Sequence, residues 1–260
     1  HEYFSAVLDS FKVEAEKRGY DITFINHNIS GRSMTYLEHC HYRSVDGVVI
    51  ACVNFYDPQV VELVNSDVPV VTIDHVFNNR MAVLSDNVAG LKALVKQAWA
   101  CGHRRIAFIH GEKTSVTENR IAGFYQACEE LGLEIPEEYV RDSVYHDAER
   151  CAEETRALLA LPQRPTCIIF PDDFSALGGY NALAEAGLSI PDDISVMGYD
   201  GIYLSRVVNP SLVTYQQNTA ALGQTAADKL IELIEHPRVT LPEQIRVSGR
   251  LLSGRSVRSL

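Results

Sequence analysis

Several short apolar runs in this 260-residue chain end on polar side chains of the kinds that hold small molecules. Phe170-Pro171-Asp172-Asp173 follows one run and Gly198-Tyr199-Asp200 follows another. Asp74 closes the run 68–73, and Ala51-Cys52-Val53-Asn54 closes the run 45–53. Arg120 begins a helical stretch just past the loop after 106–109. If the runs are strands of an open α/β sheet, these groups stand at the strand ends where such sheets bind ligands. A guanidinium among carboxylates, with the rings of Tyr3, Phe4 and Tyr145 for stacking, suits a small polyhydroxylated or heterocyclic ligand. Two plainer roles stay open. Asp172 or Asp173 can cap the helix that follows, and Arg120 can be an ordinary exposed side chain. A cation near a helix start opposes the helix dipole, so Arg120 calls for a partner anion.

Other chemistry finds less support. Neither G-x-G-x-x-G nor G-x-x-x-x-G-K-[ST] occurs, and G-x-S-x-G and H-E-x-x-H are also missing. Ser115, His110 and Asp142 form no recognisable triad motif. His39-Cys40-His41 has a metal-ligand look, but residues i and i+2 of a helix point to different faces. The six cysteines contain no C-x-x-C, and most lie in apolar segments, as Cys52 and Cys167 do; they suit buried, reduced thiols. No catalytic set, cofactor or metal is expected. With 23 Lys+Arg against 34 Asp+Glu, the formal charge of −11 argues against nonspecific binding of a phosphate backbone. Arg246, Arg250, Arg255 and Arg258 suit a solvated face. Apolar residues make up 46%, the balance of a globular chain, with no run near membrane-spanning length and no leader-like opening.

The elements that would position these residues alternate. Strand-like runs at 22–25, 45–53, 68–73, 106–109, 166–170 and 194–197 are interleaved with helical patterns. The helices are expected at 3–18, 33–41, 58–65, 87–101, 119–131, 148–161, 175–186 and 219–234. Runs that are apolar throughout suit a parallel sheet covered on both faces, and β-then-α order implies right-handed crossovers. Gly19, Gly102, Gly132 and Gly187 follow helical stretches as left-handed C′ residues. Gly31 is expected at a helix start, and Gly178-Gly179 at a close-packed helix contact. The chain opens on a helix pattern, Tyr3, Phe4, Val7, Leu8 and Phe11, where a doubly wound sheet opens on a strand. We therefore expect a first strand N-terminal to His1; direct pairing of 22–25 with 45–53 would contradict it.

Six segments together resemble the regulatory core of LacI/GalR-type transcription repressors. They are Asp86-Asn87-Val88-Ala89-Gly90, Gly102-His103-Arg104-Arg105-Ile106-Ala107, Arg120-Ile121-Ala122-Gly123-Phe124, 165–170, 190–200 and Pro210-Ser211-Leu212-Val213-Thr214. They run in family order over nearly the whole chain. The resemblance implies an α/β fold of two Rossmann-like subdomains with parallel sheets and three crossovers, of the type I periplasmic-binding-protein kind. On that pattern residues 1–86 with 218–248 form the N-terminal subdomain, and 87–217 with 249–260 form the C-terminal one. It implies a small-molecule effector, a sugar or related metabolite, in the cleft between them. It also implies operator DNA bound through a helix-turn-helix headpiece absent from this chain, a homodimer, a cytoplasmic location and no membrane partner.

By the same resemblance, Arg120 pairs with ligand oxygens and Asp200 accepts ligand hydrogen bonds. Tyr3, Phe4 and Tyr145 supply aromatic walls, and Thr114 stands where relatives place a polar contact, beside the apolar Val116. Asp172 replaces the Asn common in sugar-responsive relatives, which keeps an acceptor, removes two donors and adds a charge. Gln217, at the second crossover, touches ligand or serves the hinge. The implied mechanism is allosteric, the ligand favouring one arrangement by its differential affinity. A periplasmic sugar-binding protein of a transporter or chemoreceptor is the alternative on the same fold.

Overall fold

In the computed structural model, which describes residues 2–29 and 31–260, successive residues of the apolar runs enter two different cores. Ile106, Phe108, Cys167, Ile169, Met197 and Tyr199 pack in one. Ala107, Ile109, Ile168, Phe170 and Val196 pack in the other. Side chains alternate across a strand, so a run apolar at every position fills both faces of its sheet. Each fully buried large side chain such as Phe108 contributes about 1.5–3 kcal/mol.

The chain divides into two compact units. Unit one opens with α1 (Glu2–Lys17), the short antiparallel pair β1 (Asn28–Ile29) and β2 (Arg32–Ser33), and α2 (Tyr36–Arg43). It continues with β3 (Val48–Ile50), α3 (Pro58–Val64), β4 (Val70–Ile73) and β5 (Met81–Ser85). Unit two starts at Asp86 and holds α4 (Asn87–Ala100), β6 (Ile106–His110), α5 (Ser115–Glu130), a 3-10 turn at Glu137–Tyr139 and β7 (Val140–Asp142). It goes on through α6 (Ala148–Leu159), β8 (Cys167–Ile169), α7 (Ala176–Glu185), β9 (Ser195–Asp200), α8 (Leu204–Val207) and β10 (Val213–Gln216). From Asn218 to Val247 the chain belongs to unit one again, with α9 (Thr219–Glu235) and β11 (Gln244–Val247). The last strand, β12 (Arg250–Leu252), belongs to unit two.

The sheet of unit one runs β11-β5-β4-β3, parallel throughout. That of unit two runs β12-β10-β9-β8-β6-β7, parallel except for β12 against β10. An α/β chain with two parallel-dominated sheets is the expected class. In unit one α1 packs on α9, where a Cβ on Gly223 would overlap the Val7 carbonyl. In unit two Gly178 brings α7 equally close to Ala148. Gly19, Gly102, Gly132 and Gly187 all have positive φ, as their C′ positions require.

Some expected elements differ. Residues 22–25 form no strand; Phe24 is 60% exposed, and the backbone N–H of Asn26 bonds Nδ1 of His39 at 2.8 Å. A strand exists only by pairing, and among the described residues β3 ends its sheet with β4 as neighbour. The runs 22–25 and 45–53 therefore do not pair. Only Val48–Ile50 of the run 45–53 is strand, because Cys52 turns left-handed (φ 55°), leaving it exposed rather than buried. Gly31 belongs to the β1–β2 turn, not to a helix start, and α2 waits for Thr35, which forms a capping box with Glu38. The strand β5 was not expected: Met-Ala-Val-Leu-Ser reads weakly as strand, and its complete burial overrides propensity.

A candidate effector site around Arg120 and Asp200

Helix α5 begins at Ser115, earlier than its sequence pattern implies, because Thr114 caps it by accepting from the Thr117 N–H at 3.2 Å. Arg120 is therefore the sixth helical residue and not at the helix start. It is 4% exposed, which excludes the surface role. Three elements fix its guanidinium. Nε donates to Oδ1 of Asn87 at the start of α4 (2.8 Å), and one terminal nitrogen donates to the Pro171 carbonyl after β8 (2.8 Å). Its central carbon lies over the ring of Tyr199 in β9, 3.7 Å from the centroid. A desolvated cation–π contact of this kind is worth about 2 kcal/mol. Gly90 makes room for the ring, since a Cβ there would overlap the Tyr199 hydroxyl.

The anion Arg120 calls for is Asp200, whose Oδ1 lies 3.9 Å from the guanidinium. Asp200 ends β9 at φ 103°, a conformation that residues with side chains rarely adopt and that costs of order 1–3 kcal/mol. Gln217 donates from Nε2 to the same Oδ1 at 2.6 Å, and its backbone N–H reaches the Asp200 carbonyl. Parallel pairing of β9 with β10 sets this up, placing Gln216 opposite Asp200. Burial pushes the Asp200 carboxyl up to about 6, with the Arg120 charge opposing.

Asp173 faces inward from the β8 end. Its oxygens accept from the Thr214 hydroxyl (2.6 Å) and the Ile202 N–H (2.9 Å), and Gly198 leaves space for them. Burial first, then the Asp200 charge, raises its carboxyl well above the usual range. Neither aspartate caps α7, whose N-cap is Ser175; Asp172 holds that residue instead, Oδ1 accepting from the Ser175 N–H (2.8 Å) and Oδ2 from the Ser175 hydroxyl (2.7 Å). Oδ2 also accepts from the His146 N–H at 2.9 Å. Burial would raise the Asp172 carboxyl, but its bonds and charge pairing with His146 outweigh this and hold it below the usual value.

Tyr145 brings its ring to 5.4 Å from the Arg120 guanidinium carbon and shares a hydrogen bond with Thr117 Oγ1 at 2.9 Å. In unit one, Tyr3 donates to Asp74 Oδ2 at 2.7 Å, and the Ser85 N–H donates to Oδ1 at 2.7 Å. Asp74 is itself left-handed, at φ 60°. Phe4 is half-buried on α1, and Thr114 is occupied by its cap.

Of the expected residues, Arg120, Tyr145, Asp172, Asp200 and Gln217 thus gather in unit two, while Tyr3 and Asp74 pair in unit one. Sequence reasoning missed Asn87, Tyr199 and His146 as parts of this machinery. Asn87 and Tyr199 lie inside sequence motifs whose neighbouring residues carry the signal; His146 carries none. The cluster offers carboxylate acceptors, a guanidinium and ring faces, the means to bind a polar molecule. His110 turns Nδ1 to the Gly111 carbonyl (2.9 Å). Among the described residues no group of three or more His, Cys, Asp or Glu is placed to hold a metal ion, and no helix is long and apolar enough to cross a membrane.

Comparison with known proteins is consistent over the whole length. A family model described as a periplasmic binding protein-like domain matches residues 95–257. The HTH-type transcriptional repressor PurR of Haemophilus influenzae is 30% identical over 265 residues, covering 99% of this chain and 78% of the relative. A transcription regulator from Lactobacillus plantarum superposes with a TM-score of 0.87 at 21% identity, covering 100% of this chain and 97% of that one. A LacI family transcriptional regulator from Enterococcus faecium, with bound ribose, does so at 0.85 and 26% identity, covering 100% and 96%.

Proposed function

This chain belongs to the LacI-type family of transcriptional regulators and forms their periplasmic-binding-protein-like effector-binding domain, and we propose that its effector is a sugar or closely related metabolite held by the Arg120–Asp200 cluster. The observation that carries this reading is the buried guanidinium–carboxylate pair at the C-terminal ends of β8 and β9, with Gln217 braced on the carboxylate. Strand ends are where open α/β sheets place ligands. A strained Asp200 backbone suits a binding residue better than a purely structural one. The bound ribose of the Enterococcus faecium regulator supports the ligand class.

Asp200 accepts hydroxyl protons of the ligand, Arg120 meets its oxygens, and Tyr145 covers a face. The ligand changes affinity for operator DNA in proportion to its differential affinity for two conformational states. DNA is bound through a helix-turn-helix outside these 260 residues, by a homodimer in the cytoplasm. The domain catalyses no reaction. The relatives matched over the chain are repressors, which favours this reading over a transport-linked binding protein.

A thermal-shift screen of pentoses, hexoses, disaccharides, nucleosides and purines identifies the ligand, since a bound effector stabilises by mass action. Titration calorimetry then compares Arg120→Ala and Asp200→Ala with the wild type. Affinity reduced at least tenfold in both, with folding retained, is expected; undiminished affinity in both overturns the site.

A further inference from the structure

Taking the cluster around Arg120 as the effector site, we propose that Asp172 is a positioning residue of that site: it fastens His146 and thereby holds the ring of Tyr145 beside Arg120. Asp172 itself has little left to offer a ligand. It is 1% exposed, and its oxygens already receive the Ser175 N–H, the Ser175 hydroxyl and the His146 N–H. The Ser175 bonds hold the residue just before α7. Those to His146 do not, and they reach a different loop, where Nδ1 of His146 also stands 3.4 Å from Oδ1.

His146 is held at φ 58°, the left-handed region that residues with a Cβ avoid unless something fastens them. Tyr145, one residue earlier, is tied at its N–H to Glu112 (2.9 Å) and at its hydroxyl to Thr117 (2.9 Å). Its ring rests on Gly111, where any Cβ would overlap it. Asp172 supplies the hold on the next residue, His146. The preceding residue, Pro171, gives its carbonyl to Arg120, so one short segment after β8 holds both Arg120 and the residue next to Tyr145.

Part of the hold is a charge pairing that adds to the backbone bond. Burial disfavours the His146 cation, but the hydrogen bond and charge of Asp172, helped by Asp200 and Glu112, raise its pKa on balance. Asp200 stands at the end of β9, Glu112 in the loop after β6, and Asp172 after β8. Loss of the His146 proton removes the charge pairing with Asp172, and the Tyr145 ring loosens from Arg120 as the pH rises.

NMR of the chain labelled with 13C in histidine and tyrosine, without effector, tests this. In the wild type the His146 ring titrates with a midpoint above 6.5, the Tyr145 ring signal shifts with the same midpoint, and its contact with Arg120 weakens above it. Asp172→Asn brings the His146 midpoint to 6.5 or below and removes the Tyr145–Arg120 contact at pH 6. His146→Asn retains a residue that tolerates the left-handed backbone, and abolishes the pH dependence of the Tyr145 signal. The Tyr199–Arg120 contact serves as the internal control for folding and persists in both variants. Asp172→Asn with an unchanged His146 midpoint and an intact Tyr145–Arg120 contact overturns the proposal, as does His146→Asn with an unchanged Tyr145 titration. These readouts need no effector, so they stand apart from the calorimetry of Arg120→Ala and Asp200→Ala that tests the site itself.

Discussion

The guanidinium carbon of Arg120 lies over the ring of Tyr199, 3.7 Å from its centroid, in the interior of unit two. The same ring directs its hydroxyl to Asn87 (3.4 Å), which also accepts from Arg120 Nε. Position and orientation of this buried cation thus depend on a strand residue and a helix residue together. Replacing Tyr199 with Leu removes the ring face and leaves the charge without that support. We expect unit two to lose about 2–4 kcal/mol of stability in urea denaturation, and effector affinity to fall at least tenfold by calorimetry. Tyr199→Phe, which keeps the ring face and loses the long hydroxyl bond to Asn87, should cost about 1 kcal/mol or less.

Gly90 is required for the same arrangement. A Cβ at this position would overlap the Tyr199 hydroxyl and crowd the Tyr215 ring, both within a packed core. Gly90→Ala should therefore destabilise by about 1–3 kcal/mol, against the gain that alanine normally brings inside a helix. Urea denaturation giving a more stable variant would show that the ring has room to move.

The Asp200 carboxyl gives stability a definite pH dependence. Its folded pKa of about 6 lies above the ordinary 3.8, so the native state binds the extra proton between these values. Stability from this group is therefore greatest at and below about pH 4, declines as pH rises to 6 and stays low above. Two pKa units correspond to about 3 kcal/mol. Asp200→Asn keeps an acceptor for Gln217 and removes the titration. Its stability relative to wild type should improve by about this amount between pH 4 and pH 7, measured by denaturant titration at each pH. A parallel pair of pH profiles would show that Asp200 is not the buried acid.

The cysteines should separate by reactivity. Cys52 is exposed and should alkylate rapidly under native conditions. Burial pushes the thiols of Cys128 and Cys151 up to about 11 and raises those of Cys40 and Cys167, so little reactive thiolate exists at neutral pH. Mass spectrometry after brief iodoacetamide treatment should find Cys52 modified first and those four only after unfolding. Native modification of Cys167 ahead of Cys52 would contradict the burial of β8.

Much of the architecture was legible because it is repeated locally. Runs such as Ile106-Ala107-Phe108-Ile109 are apolar on both faces, which identified a sheet covered on both sides before any strand order was known. The glycines at 19, 102, 132 and 187 marked helix ends because a positive φ favours the residue without a Cβ. Composition misled at 22–25, where an apolar run lies outside any sheet, and at 81–85, where an ordinary one is a fully buried strand. In both cases the neighbours decided, and a run of four or five residues does not name its neighbours.

From the amino-acid order by itself came the α/β class, the family resemblance and the residue types of the binding cluster, since period and motif are properties of short windows. Tertiary structure alone decided what those residues do to one another. Arg120 meets Asn87 and Pro171 at separations of 33 and 51 residues, and Asp172 reaches His146 across 26. Such contacts arise from the order in which strands lie side by side, so no local pattern contains them. That is why Asp172, an apparent ligand contact in the sequence, is in the folded chain a brace whose oxygens are already in use.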